Sequence, residues 1–206
     1  MNTESQKPAP PSRKKLLIGG VIAIVAAAGI AIAFVLPAEF GIDPTGLGQL
    51  TGLSDINTPA NSPELERGSK RKGVLTLLEQ APAAEAGSRD RWEFELGAYD
   101  SIEFKYTLSE GERMAFTWQS SRPLHYDLHA HPFEGGVELT ESYGVGDAAI
   151  MHGRYVAPFT GIHGWYWQNR SLTSVKIVLD ATGGFSTSTI FDSAGEHARP
   201  IVPIAE

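Results

Sequence analysis

The sequence predicts a mainly β protein with a single N-terminal transmembrane helix, a linker and an antiparallel β-sandwich. Three observations predict it. Residues 16–36 form an apolar run without a charge. From Arg91 onward the hydropathy alternates with period two, the mark of strands with one face on a core. Turn signals then recur at roughly ten-residue spacing, as in sandwiches and barrels. The predicted organisation is a cytoplasmic segment (1–15), the membrane helix (16–36), a juxtamembrane segment and linker (37–90), the β domain (91–182) and a tail (183–206).

The run Leu16 to Leu36 reads LLIGGVIAIVAAAGIAIAFVL. At ~1.5 Å per residue its length of about 31 Å matches the hydrocarbon core of a bilayer. Lys7, Arg13, Lys14 and Lys15 against Glu4 precede it, while 13 basic and 23 acidic residues follow. The positive-inside rule therefore predicts an N-terminus in the cytoplasm and the remainder outside the cytoplasmic membrane. A cleaved signal peptide would have a shorter apolar region and a small-x-small site. The long run and Leu36-Pro37-Ala38 favour a retained anchor.

The net charge of −7, concentrated after the membrane run, argues against nucleic acid as a partner. The absence of cysteine removes disulfides, thiolate metal sites and a Cys nucleophile. Between Thr58 and Asp90 the chain is rich in Pro, Ala, Ser and charge, which predicts a spacer. Gly73 to Gln80 is the one stretch within it expected to make a turn or two of helix. The cluster Arg67, Lys70, Arg71 and Lys72 suits either a solvated surface or anionic lipid. Leu47, Leu50 and Leu53 predict a short helix after the membrane.

In the β region, Trp92, Phe94 and Leu96 alternate with charged residues, as do Ile102, Phe104, Tyr106 and Leu108, then Met114, Phe116 and Trp118, then Leu124, Tyr126 and Leu128. Further strands are expected over Val137–Tyr143, Ala149–Val156, Ile162–Gln168 and Ser174–Ala181. After Gly183 no period is evident, which predicts an extended tail.

The stretch Gly153 to Asn169, GRYVAPFTGIHGWYWQN, carries an apolar-x-Pro-x-x-Gly corner before an aromatic strand ending in Asn, followed by the amphipathic Val175 to Leu179. With the Ser-Glu-Gly-Glu turn after Leu108, it resembles the end of a GOLD-type, jelly-roll-like β-sandwich. The wider layout, with Pro37 to Gly46 (PAEFGIDPTG) directly after the helix, is similar to the bacterial transmembrane anchor proteins. The resemblance implies protein interaction, by analogy of fold, and no particular activity.

The candidate chemistry lies in Leu124 to Pro132, LHYDLHAHP. On a strand, His125, Asp127, His129 and His131 share one face at about 6.5–7 Å spacing. Imidazole and carboxylate suit Zn²⁺, Cu²⁺ or Ni²⁺, and His152 and His163 would complete the shell from other strands. The alternative is the wet face of an antiparallel sheet, where polar residues are required anyway. Trp165 and Trp167 share a face with His163 and either fill the core or form an exposed aromatic patch for a partner. No G-x-S-x-G elbow, phosphate loop or H-E-x-x-H pair occurs. The expected function is thus a non-enzymatic, membrane-tethered periplasmic binding or interaction module without a cofactor, its partner an envelope protein. A transition-metal sensor, buffer or exporter accessory using the His-rich strand is the alternative.

Overall fold

The computed structural model describes residues 12–56, 62–192 and 194–201. They pack as two units, divided between Asn57 and Thr58. The first unit is dominated by a 28-residue helix, Arg13–Phe40, long and apolar enough to cross a membrane. It begins as α1 (Arg13–Ile30), where the Ser12 hydroxyl accepts the Lys15 N–H. A π turn over Ala31–Val35 follows, then α2 (Leu36–Phe40). Pro37 accounts for the widened turn. It has no N–H to offer the Ala33 carbonyl and its ring crowds that group, so the preceding turn loosens and the Leu36 N–H reaches the Ala31 carbonyl. Gly41, with φ of 63°, ends the helix in the left-handed region.

Two short helices then fold back, α3 (Leu47–Thr51) and α4 (Leu53–Ile56). The Asp43 carboxylate accepts the Gln49 N–H at 2.8 Å and the Thr45 hydroxyl at 3.2 Å, tying the turn. Gly48 sits so close to Pro37 that a side chain there would overlap the ring.

The second unit holds α5 (Pro63–Ser69), β1 (Leu75–Leu78), β2 (Ser88–Leu96), β3 (Ser101–Leu108), β4 (Arg113–Pro132), β5 (Glu141–Val156), β6 (Gly161–Gln168), β7 (Val175–Gly183), β8 (Ser188–Asp192) and β9 (Gly195–Arg199). The fold is mainly β, and the described strands pair antiparallel, as predicted. The long β4–β5 hairpin is shared by two layers, with register breaks at Gln119/Leu124 and Leu128/His129. The first half of β4 pairs with β7, and β7 with β2, while β1 adds to the matching half of β5. The second half of β4 pairs with β6, and the layer continues through β3 and β8 to β9.

Aromatic rings from the two layers meet between them. Trp92 stacks on Phe104 at 4.8 Å, Phe116 meets Trp165 edge-on at 4.8 Å, and Trp118 meets Trp167 at 5.8 Å. Most predicted inward residues form the observed core: Trp92, Leu96, Ile102, Phe104, Tyr106, Leu108, Met114, Phe116, Trp118, Leu124 and Leu128 are buried, with Phe94 and Tyr126 half-buried against them. The period-two pattern succeeds because each of these strands has one dry face.

Several boundaries in the second unit differ from expectation. The segment after Thr58 is not a spacer throughout: α5 lies on β5, where Gly68 touches the Ser142 carbonyl and Arg67 donates to the Thr140 carbonyl at 2.8 Å. Within Gly73–Gln80, β1 forms in place of a helical turn, because the exposed edge of β5 captures its backbone groups. The predicted tail is the β8–β9 hairpin, preceded by buried Phe185. Val137–Tyr143 opens as a 3₁₀ turn at Gly136–Leu139, and β5 begins at Glu141.

Candidate functional site

LHYDLHAHP forms the second half of β4. Alternation turns Leu124, Leu128 and Ala130 into the core and sends His125, Asp127, His129 and His131 to the opposite face. The register across β6 and β3 places Gln168 and Ser101 beside His125, Tyr166 and Glu103 beside Asp127, and Gly164 and Lys105 beside His129.

Gly164 organises this face. A side chain there would overlap the Phe104 carbonyl, and its absence lets the Lys105 side chain cross β6. Lys105 is fully buried, and its Nζ donates to the His129 carbonyl at 3.0 Å and meets Glu103 Oε1 at 3.1 Å. The same carboxylate oxygen pairs with His129 Nε2 at 3.0 Å, while His129 Nδ1 faces the Asp127 carbonyl at 3.2 Å. Asp127 accepts the Ser142 hydroxyl at 3.0 Å, and His125 Nδ1 pairs with Asp147 at 3.2 Å.

Burial by itself would raise the Glu103 carboxyl, but the His129 hydrogen bond and the Lys105 ammonium prevail and hold it at about 2. Burial draws Lys105 down to about 8 against the attraction of Glu103. His131 is lowered by burial and by the Lys105 charge. Glu103 thus ties Lys105 and His129 into one polar network on this face, while Asp127 Oδ1 is buried without a hydrogen-bond partner among the described residues.

The other two predicted ligands lie elsewhere. His163 shares its face with Trp165 and Trp167, and the inward parity that buries the tryptophans carries the histidine inside with them. Its Nδ1 meets the Tyr155 hydroxyl at 2.8 Å. Burial, then the Lys105 charge, pull it to about 3, so the imidazole is neutral. His152 belongs to the half of β5 in the other layer, opposite Thr117, whose hydroxyl lies 3.0 Å from its Nδ1. The six residues thus occupy three separate places. Among the described residues no three His, Cys, Asp or Glu side chains gather closely enough to hold a metal ion. The aromatic patch is likewise absent as a surface: Trp165 and Trp167 stack at 5.5 Å, 8° apart, and both are fully buried.

Thr117 and His152 are a hydroxyl and a base in hydrogen-bond reach. Catalysis would also need the imidazole oriented by a third group, and among the described residues no carboxylate pairs with His152.

Two features escaped the sequence reading. A polar chain enters the core: Arg71 grips Glu141 at 2.9 Å through both Nε and Nη2, Tyr143 donates to Glu141 at 3.1 Å, and Tyr155 meets His163. Burial and then the Glu141 charge push the Tyr143 phenol well up. Glu141 thereby fastens the stretch after α5 to β5.

The second feature is a cleft of about 530 Å³ between the β2–β3 turn and the β8–β9 turn. Phe94, Tyr99, Tyr166 and Phe191 line it, with Asp100 and Glu103 among the polar groups. Tyr99 has φ of 60°, the one described non-glycine residue with positive φ. For a bulky side chain this conformation is strained, and such strain concentrates at ligand-contacting turns. The Gly97-Ala98-Tyr99-Asp100 turn is a local feature of the sequence, whereas its meeting with β8 depends on pairing between segments far apart in the chain.

No protein-family model matches the chain, and a search of curated proteins returns no match.

Proposed function

We propose that the chain is a membrane-anchored binding module, its N-terminus in the cytoplasm and its β domain on the periplasmic face of the cytoplasmic membrane. The observation that carries this reading is the cleft at Tyr99, where aromatic walls and the Asp100 carboxylate adjoin a strained turn. Aromatic faces beside carboxylates favour a cation on an apolar stem, such as a lysine or arginine side chain of an envelope protein. The basic residues Arg13, Lys14 and Lys15 at the start of the helix support the orientation.

A binding role without chemistry accords with the ionic face, whose lysine is enclosed and paired with Glu103, the carboxylate that also meets His129. The transition-metal reading needs at least three of His125, Asp127, His129, His131, His152 and His163 to converge, and among the described residues no three such side chains gather to hold an ion. A photoreactive phenylalanine analogue at Tyr99 of the full chain, in its native membrane, is expected to yield one discrete adduct. Asp100→Asn should weaken that adduct, and a matching probe at exposed Leu172 should give none. Equal labelling at both positions overturns the assignment of the cleft.

A further inference from the structure

One row of side chains crosses the outer face of the layer that carries the cleft. Asp127 on β4, Tyr166 on β6, Glu103 on β3, Phe191 on β8 and Glu196 on β9 stand opposite one another in register. Directly opposed residues of neighbouring strands share a face, so carboxylate and ring alternate along the row. Its middle three members line the cleft. Glu103, between the two rings, is committed to Lys105 and His129, and Asp127 is tied to Ser142. The acids open to a ligand are therefore Asp100 and Asp192, exposed at the two turns that bound the cleft. Among the described residues no Lys or Arg lines it.

The spacing of the two rings selects a ligand backbone. Neighbouring strands lie about 4.8 Å apart, so Tyr166 and Phe191, with β3 between them, are anchored about 9.6 Å from each other. An extended strand repeats its side chains on one face at about 6.5–7 Å, which misses the second ring. An α-helix repeats at about 5.4 Å per turn and 10.8 Å over two. A polyproline II helix, with three residues per turn and about 3.1 Å of rise per residue, returns to the same face every 9.3 Å. Its proline rings dock on aromatic side chains, and its conformation is set before binding.

From this match we propose that the cleft receives a proline-rich, basic segment in the polyproline II conformation. Prolines three residues apart cover Tyr166 and Phe191, and a lysine or arginine beside them reaches Asp100 or Asp192. The inference rests on the cleft being the binding site, and it narrows the partner from a cationic side chain to a segment of defined backbone. The segment lies across the strands and adds to no sheet edge, so its affinity comes from the rings and the exposed acids.

The test uses the full chain in nanodiscs of zwitterionic phospholipid, which carry no net charge to attract a basic peptide. Fluorescence anisotropy follows a dye-labelled peptide of three Pro-Pro-Lys repeats. Its controls are three Gly-Gly-Lys repeats, equal in charge but flexible, and three Pro-Pro-Glu repeats of opposite charge. The Pro-Pro-Lys peptide should bind at least about tenfold tighter than either control, because its backbone is preorganised and its charge complementary. Phe191→Leu keeps an apolar side chain without the ring and should weaken binding about fivefold or more. Asp100→Lys, at an exposed position, should weaken it at least as much, and Leu172→Ala should leave it unchanged. Equal affinity for the Pro-Pro-Lys and Gly-Gly-Lys peptides, no binding of either, or binding that both cleft variants leave unchanged overturns the proposal. The photo-adduct at Tyr99 separates the two failures: a discrete adduct without a preference for proline keeps the cleft as the binding site and removes only the polyproline ligand.

Discussion

His163 in the core and Glu103 on the ionic face show how individual side chains set the response of the fold to pH. The folded state holds His163 at about 3, below its ordinary 6.5, so between those values the unfolded chain binds more protons. Its stabilising share is complete above pH 6.5 and is lost as pH falls toward 3. Glu103, held at about 2, loses its share only below its ordinary 4.5. The interval from pH 6.5 to 4.5 therefore belongs mainly to His163, with a smaller part from His131. Chemical denaturation of the full chain across that interval should show a loss of about 2–3 kcal/mol, and His163→Gln should remove most of it. A slope that survives the substitution would place the proton elsewhere. Lys105 acts in the alkaline range: its charged form costs the fold least when absent, so stability should rise as pH goes from 8 to 10.5.

Among the elements, the parts that sequence patterning treated as loose are clasped by specific side chains. Arg199 on β9 reaches the fully buried Asp90 on β2 at 2.7 and 3.0 Å, and Tyr106 donates to the same carboxylate at 2.7 Å. Removing one member of a buried charge pair leaves the other uncompensated, so Arg199→Ala should cost about 3–5 kcal/mol in urea denaturation. A loss below about 1 kcal/mol, the range of surface pairs, would mean that the hairpin is not a clasp. Gly68 makes the corresponding contact for α5. Gly68→Ala would force its side chain into the Ser142 carbonyl and lift the helix from β5. Limited proteolysis should then cut between residues 62 and 72 at least about tenfold faster, while cleavage in β3 and β6 stays slow, because local opening need not unfold the core.

For the molecule as a whole, the long apolar helix and the separately packed β domain make anchoring and fold two independent problems. Val25→Arg sets a charge near mid-span, a penalty of about 2.5–3.5 kcal/mol on insertion scales. The variant is expected to leave the membrane on carbonate washing while its β domain keeps its denaturation midpoint. Orientation has its own measurement. A membrane-impermeant maleimide should label Leu172→Cys in intact spheroplasts and label Thr3→Cys only after lysis; the reverse pattern would invert the topology.

The sequence by itself determined a helix long and apolar enough to cross a membrane, the β class and most of the inward residues, because each depends on local regularities. An uncharged run of bilayer length and a period of two are readable one segment at a time. LHYDLHAHP shows the limit. Its alternation was legible and held, yet whether six residues make one site depends on which strands join which layer. The inward parity shared with Trp165 and Trp167 took His163 into the core, and the bend of the β4–β5 hairpin carried His152 to the other sheet. The same holds for Leu75–Leu78 and Ser188–Arg199, whose own propensities are weak and whose strands exist because a neighbouring edge supplies hydrogen bonds. Local pattern assigns a residue to a face; only tertiary pairing decides which residues share that face, since those contacts join segments far apart in the chain.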